Sequence, residues 1–247
     1  TPGTLVCYSL TEEQKIHHAR RMEVYAGMVD AMYMHIARLM DYLKELGEFE
    51  NTIFVFTSDN GAEGSNLIGV NGQAAPGMGN WFDRVGYNSD LETLGETNSF
   101  NAIGPNNATI AASPLAYYKF YASEGGLRVP LVMSGPGISK QNEKTDEFVF
   151  VTDLTPTILS LVDLEKHDGS WKGDSIEEII GTDFSEFLQG GKSDIHSDSQ
   201  AIGYELGGNR ALFKGDYKLV FNRSAVNDQN WHLFNIKTDP GEARDLA

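Results

Sequence analysis

The sequence predicts an α/β fold that ends in a small antiparallel sheet, and a few stretches carry that expectation. Ile53-Phe54-Val55-Phe56-Thr57 is apolar or β-branched throughout, too short for a helix and suited to a parallel strand buried on both faces. A long amphipathic segment precedes it, and strand-like and helix-like stretches alternate after it, as in an α/β layer. From about Ser197 the texture changes to short aromatic and aliphatic runs between Gly, Asn and Asp turns, the pattern of an antiparallel meander. The shift divides the chain into an α/β part, 1–196, and a C-terminal subdomain, 197–247.

Taken in order, Thr11-Glu12-Glu13-Gln14 fits a capping box with acids in the first helical turn. Tyr25, Val29, Met32, Ile36, Leu39, Leu43 and Leu46 then recur at spacings of four and three, one apolar face of a helix over 12–46 that Gly47 stops. His17 and His18 are adjacent and point in different directions, which makes them surface residues rather than a metal pair; His35 is read the same way. The segment from Gly64 to Asn107 is long, rich in Gly and Asn, and short on periodicity. Trp81, Phe82, Tyr87 and Phe100 give it apolar anchors, so an ordered cover is expected there. Ser113-Pro114 reads as an N-cap followed by proline, with a short helix or turn over Leu115–Glu124, ended by Gly125-Gly126. Strands are expected at Leu127–Ser134, where Pro130 restricts the pairing, and at Glu147–Val151. Thr155-Pro156 reads as the cap of a helix with Ile158, Leu161 and Val162 on its apolar face. Ala201–Tyr204, Arg210–Phe213, Tyr217–Phe221 and Trp231–Asn235 are the strands of the meander.

Composition narrows the function. The 247 residues carry a formal net charge of −16, which argues against nucleic-acid binding through a general basic surface. An anionic substrate would need local positive charge from a lysine, an arginine or a metal. No apolar run approaches the roughly 20 residues that span a bilayer. One cysteine, Cys7, excludes an internal disulfide framework and leaves the compartment open. The first residues lack the blocks of a signal peptide and an initiator methionine, so the chain is expected to start within a longer protein. Asn107-Ala108-Thr109 and Asn222-Arg223-Ser224 match the glycosylation acceptor pattern.

The chemistry gathers at Ser58-Asp59-Asn60-Gly61, where the central strand ends. Open α/β sheets place ligands at such carboxyl edges, and Asp59 and Asn60 offer oxygens of the kind hard cations take. All three residues of Asp-Asn-Gly also favour plain turns. Lys119, set among Tyr117, Tyr118, Phe120 and Tyr121, is either a snorkelling surface lysine or a positive charge at the edge of a pocket.

The order of parts resembles the sulfatase family, within the alkaline-phosphatase-like superfamily. The similar stretches are Asn51 to Gly61, Gly125-Gly126-Leu127-Arg128-Val129-Pro130, Thr152-Asp153-Leu154-Thr155-Pro156-Thr157, and Trp231-His232-Leu233-Phe234-Asn235 through Asp239-Pro240-Gly241-Glu242 to Asp245-Leu246. Tyr87-Asn88-Ser89-Asp90-Leu91-Glu92 is similar to a stretch in the long loop of bacterial arylsulfatases. The resemblance implies part of an alkaline-phosphatase-like sandwich. It also implies that Asp59 and Asn60 ligate an active-site divalent cation, usually calcium, with magnesium as the alternative. Lys119 would bind the sulfate group and help neutralise the leaving oxygen, as catalytic and substrate-binding residue together. Arg128 would be a structural residue of its strand.

The family's nucleophile is a formylglycine made in a Cys-x-Pro-Ser-Arg motif. Cys7 is followed by Tyr8-Ser9-Leu10 and does not match, and the family's N-terminal aspartate pair is not in the chain. Tyr33 stands where relatives usually carry aspartate. The expectation is the C-terminal half of a sulfatase, inactive alone, whose complete form takes a sulfated small molecule or glycan. Alternatives are a phosphonate or phosphate monoester hydrolase of the same superfamily, or a non-catalytic assembly module. An uncovered sheet surface would favour self-association.

Overall fold

A computed structural model describes residues 9–69, 71–140, 142–167, 169–223 and 230–247. Cys7 lies outside the described residues. The chain forms two compact units, one of Thr1–Asp41, Ser58–Val129 and Ala201–Ala247, the other of Tyr42–Thr57 and Pro130–Gln200.

Helix α1 spans Glu12–Leu46, as the apolar period and its caps predict. Thr11 N–H donates to Gln14 Oε1 at 3.0 Å, and Gln14 N–H donates back to Thr11 Oγ1 at 3.2 Å, a reciprocal capping box. At the far end Gly47 adopts φ 75°, and its N–H and that of Glu48 close onto the Lys44 and Leu43 carbonyls. The expected apolar stripe is largely exposed: Val29, Met32, Leu39 and Leu46 face solvent, and only Ile36 and Leu43 among its members are half-buried. His17 and His18 depart from the surface expectation as well, while His35 is exposed. His17 is 6% exposed and packs where a side chain on Gly72 would have to sit, and His18 is half-buried.

The second unit holds β1 (Phe54–Thr57) and β2 (Leu131–Ser134), which pair antiparallel from Phe54 opposite Ser134 to Thr57 opposite Leu131. A parallel strand buried on both faces was the expectation; among the described residues β1 pairs only with β2, and Phe56 and Thr57 are exposed. Strand β2 starts at Leu131 rather than Leu127, because Pro130 has no N–H to give to a ladder. Ile138, Phe184, Phe187 and Leu188 form the core of this unit, with Ile53, Leu131, Met133 and Leu161 packed against them.

The expected strand at Glu147–Val151 is absent, and helix α5 (Val151–Leu161) begins where that strand was to end. Its start is set by Asp153, whose carboxylate accepts the Phe150 N–H at 2.7 Å, not by Thr155-Pro156. Pro156 lies inside the helix, one turn past Thr152. Asp153 also accepts the Thr182 N–H at 2.8 Å and lies 2.8 Å from His196 Nε2, which ties the helix start to two later segments. A two-residue pair, β3 (Ser170–Trp171) with β4 (Asp174–Ser175), and α6 (Ser185–Leu188) complete the unit.

In the first unit, the stretch from Gly64 to Asn107 is ordered rather than featureless, with α2 (Met78–Val85) and the start of α3 (Gly104–Ala112) inside it. The Trp81 ring lies edge-on to Tyr87 at 5.4 Å and to Phe100 at 5.5 Å, and Phe82 is buried beneath. Of the helix and the turn expected over Leu115–Glu124, the turn forms. Tyr117 and Phe120 take left-handed backbone angles, φ 62° and 79°, which break any helical run, and the short α4 (Glu124–Leu127) starts only where that helix was to stop.

The C-terminal meander forms as read. Strands β5 (Ala201–Leu206), β6 (Asn209–Lys214), β7 (Tyr217–Phe221) and β8 (His232–Asn235) make one antiparallel sheet in sequence order. Gly207 and Gly208, both at positive φ, supply the two-residue β5–β6 turn. The glycosylation patterns do not survive folding. Asn107 and Asn222 are each 3% exposed, and both side chains are hydrogen-bonded inside the protein.

Candidate functional site

The turn after β1 is built by close backbone packing. Ser58 Oγ donates to the Asn60 carbonyl at 2.9 Å, and Gly61 N–H donates to the Gly126 carbonyl at 2.9 Å. A side chain on Gly61 would collide with the Gly125 carbonyl oxygen. One on Gly125 would meet the Ala116 and Tyr117 carbonyls, and one on Gly126 that of Tyr121. These glycines are required by backbone approaching backbone, not by left-handed angles. Two stretches far apart in sequence, Asp59-Asn60-Gly61 and Gly125-Gly126, are thereby brought face to face.

Lys119 joins them. Its N–H donates to the Ala62 carbonyl at 3.0 Å, and its Nζ lies 2.8 Å from Glu63 Oε2. The left-handed residues Tyr117 and Phe120 stand on either side of it, and such angles on bulky residues cost energy that the surrounding structure must supply. The Glu63 hydrogen bond holds the Lys119 ammonium above its usual pKa, burial opposes this, and the Asp59 carboxylate adds to the rise. Burial pushes Glu63 up, but bonds from Lys119 and Ser65 outweigh it and leave its carboxyl below the ordinary range. The Lys119 side chain is one-third exposed and ion-paired, a geometry that suits either reading of this lysine.

Asp59 is exposed and Asn60 half-buried, and no side-chain hydrogen bond engages either of them among the described residues. Two oxygen-bearing side chains next to a fixed ammonium suit a hard cation but do not complete a cage, since calcium takes six to eight oxygens. Among the described residues no group of three or more His, Cys, Asp or Glu is placed to hold a metal. The residues present fit part of a cation site.

Arg128 belongs to no strand. It follows α4 and lies 3.7 Å from Glu124. The sequence assigns no site role to Glu63, Glu124, Lys218, Asn222 or Glu242. Glu63 follows Asp59 by four residues on the same turn, and Lys218 stands at an inward position of β7 where alternation asks for an apolar residue; both were visible signals.

A model of the sulfatase family matches residues 7–164 of the chain. An uncharacterized sulfatase of Schizosaccharomyces pombe is 37% identical over 245 residues, which are 99% of this chain and 43% of that protein. An arylsulfatase of Klebsiella aerogenes is 32% identical over 158 residues, 64% of this chain and 32% of that protein. The chain thus spans less than half the length of these curated relatives. Among solved structures, Ps i-CgsB in complex with k-i-k-neocarrahexaose superposes with a TM-score of 0.57 at 25% identity, over 90% of this chain and 38% of that one.

Proposed function

Because the chain belongs to the sulfatase family, whose alkaline-phosphatase-like fold it shares, we propose that it supplies the C-terminal half of an enzyme hydrolysing sulfate esters. In this reading Lys119 binds the sulfate group, and Asp59 and Asn60 ligate a divalent cation, calcium before magnesium. The observation that carries it is the convergence of the Asp59-Asn60-Gly61 turn, the Gly125-Gly126 pair and Lys119 on one spot.

The chemistry asks for these groups. A sulfate ester breaks with negative charge growing on its leaving oxygen, and a fixed ammonium stabilises that charge. A cation bound by Asp59 and Asn60 would polarise the sulfate oxygens. Before substrate arrives, Glu63 keeps the Lys119 ammonium in place; a sulfate oxygen then takes over as acceptor. The nucleophile and the remaining ligands are assigned to a preceding half, since Cys7 does not stand in the family's nucleophile motif. A sulfated glycan is the favoured substrate class, in line with the carbohydrate bound by Ps i-CgsB.

The test is calorimetric titration of calcium into the chain at moderate salt, beside an aryl sulfate assay. Binding in the roughly millimolar range, lost in Asp59→Asn, is expected from so few charged ligands. Turnover by the chain alone should be absent. Tight calcium binding that survives Asp59→Asn, or hydrolysis abolished by Lys119→Ala in the isolated chain, overturns the assignment.

A further inference from the structure

Two polar side chains are buried along β7 and just past its end. Lys218 and Asn222 flank the apolar Val220 on the same side, and the three are 0%, 3% and 2% exposed. Lys218 Nζ lies 2.9 Å from Glu124 Oε1 and 2.9 Å from Glu242 Oε1, and the carboxylate side chains are 4% and 2% exposed. The Phe213 ring faces the same ammonium at 5.2 Å. Four residues on, Asn222 Oδ1 accepts the Ala122 N–H at 2.7 Å, and its amide donates to Ser123 Oγ at 2.8 Å. From β6, Asn209 donates to the Phe120 carbonyl at 2.7 Å.

The ties of Lys218 to Glu124, of Asn222 to Ala122 and Ser123, and of Asn209 to Phe120 all land on residues 120–124. That short run lies between Lys119 and the Gly125-Gly126 pair that seats the Asp59-Asn60-Gly61 turn. It begins at Phe120, one of the two left-handed residues beside Lys119. Something outside the run must hold it in this conformation, because its own preference is against it.

Stability alone does not account for the buried ions. Taking an ammonium and two carboxylates out of water costs several kcal/mol per ion, and packed apolar residues of similar volume are often as stable. An ionic set provides direction, since the Lys218 ammonium sits 2.9 Å from a carboxylate oxygen of Glu124 and of Glu242. An apolar contact tolerates sliding.

We propose that Lys218 on β7 and Asn222 just past its end are positioning residues for the candidate site, holding 120–124 so that Lys119 is aimed and the Asp59-Asn60-Gly61 turn is seated. The functional meaning of this role rests on the sulfatase reading above; the mechanical role does not. Burial raises the pKa of Glu242, Lys218 and a hydrogen bond from Ser123 oppose the shift, and the Glu124 carboxylate adds to it.

The experiment is amide hydrogen exchange, read by NMR on the full chain. Two variants are compared with the wild type: the triple substitution Lys218→Met, Glu124→Gln, Glu242→Gln, which removes the charges together, and the single Asn222→Ala. In both, the Gly61 and Lys119 amides should exchange about tenfold faster, the loss of about one net hydrogen bond, while Leu212 and Leu219 inside the sheet stay within about twofold. Lys218→Arg, which keeps the charge, should stay near the wild type at all four. A rise spread equally over sheet and site would make the cluster merely structural and overturn the proposal, as would unchanged Gly61 and Lys119 amides. If the triple variant fails to fold, Asn222→Ala decides by the same comparison. Calcium-dependent shifts at the Asn60 amide of the wild type are followed in parallel. Their absence would sink the cation reading and leave the positioning role to be judged by exchange alone.

Discussion

Glu63 and Lys119 each hold the other's charge, and this pairing sets how the site meets an anion. The contact is 2.8 Å long, with the side chains 40% and 33% exposed, so solvent screens it. In the proposed site, an incoming sulfate would compete with the Glu63 carboxylate as acceptor of the ammonium. Removing that competitor should favour the newcomer. Glu63→Gln is therefore expected to tighten binding of inorganic sulfate by up to about fivefold, the range of a pair at this exposure. The same substitution should let the Lys119 pKa fall, because its largest cause of elevation is gone. NMR detection of the Lys119 ammonium during a sulfate titration reads both effects. Weaker sulfate binding in Glu63→Gln would mean that the carboxylate orients the lysine more than it competes for it.

Among the elements, α1 and the C-terminal meander were legible because their signals are local: a run of apolar residues at helical spacing with caps at each end, and alternating strands between glycine turns. Strand β1 was legible as a strand, but not its antiparallel partner, since pairing depends on a stretch more than seventy residues later. Glu147–Phe150 reads as strand by propensity and was misassigned because a side chain three residues ahead, Asp153, takes the Phe150 N–H and starts a helix instead. Asp59, Asn60 and Lys119 could be named from sequence as candidates, but Glu63, Lys218 and Asn222 draw their roles from distant contacts. The Asp153 side chain is 2% exposed and serves Phe150, Thr182 and His196 together. Asp153→Ala leaves the Phe150 and Thr182 N–H groups without their acceptor and should thus cost about 2–3 kcal/mol, visible as a lower urea midpoint. A loss below about 1 kcal/mol, the size of an ordinary helix cap, would reduce Asp153 to a capping residue.

On the scale of the whole chain, exposed apolar surface and buried charge pull stability and solubility in different directions. Met28, Val29, Met32, Tyr33, Leu39 and Tyr42 are all exposed on α1, and no described residue covers them. Contiguous apolar surface of this kind favours association, so light scattering should show a mass that rises with concentration despite the net charge of −16; a monomer at every concentration would mean that the face is covered. Acidity acts through the buried cluster. The carboxyl groups facing one another there are Glu242 and Glu124, with the Lys218 ammonium between them and Arg128 behind Glu124. Burial raises the Glu242 pKa above that of the unfolded chain, so the folded state binds its proton more tightly. Its contribution to stability is then fully present below the unfolded carboxyl value, about 4.3, and is lost as pH rises through the folded value. Glu63, Asp183 and Asp245 run the other way: their folded values are lowered, so their contribution is present above the unfolded value and disappears as acid is added. The Glu242 effect is separated from theirs by Glu242→Gln, which cannot titrate. Urea midpoints of wild type and variant are compared in steps upward from about pH 5. The advantage of wild type over variant should be largest at the acid end and shrink as pH rises, whereas a constant difference would mean that Glu242 is ionised throughout and that Lys218 outweighs its burial.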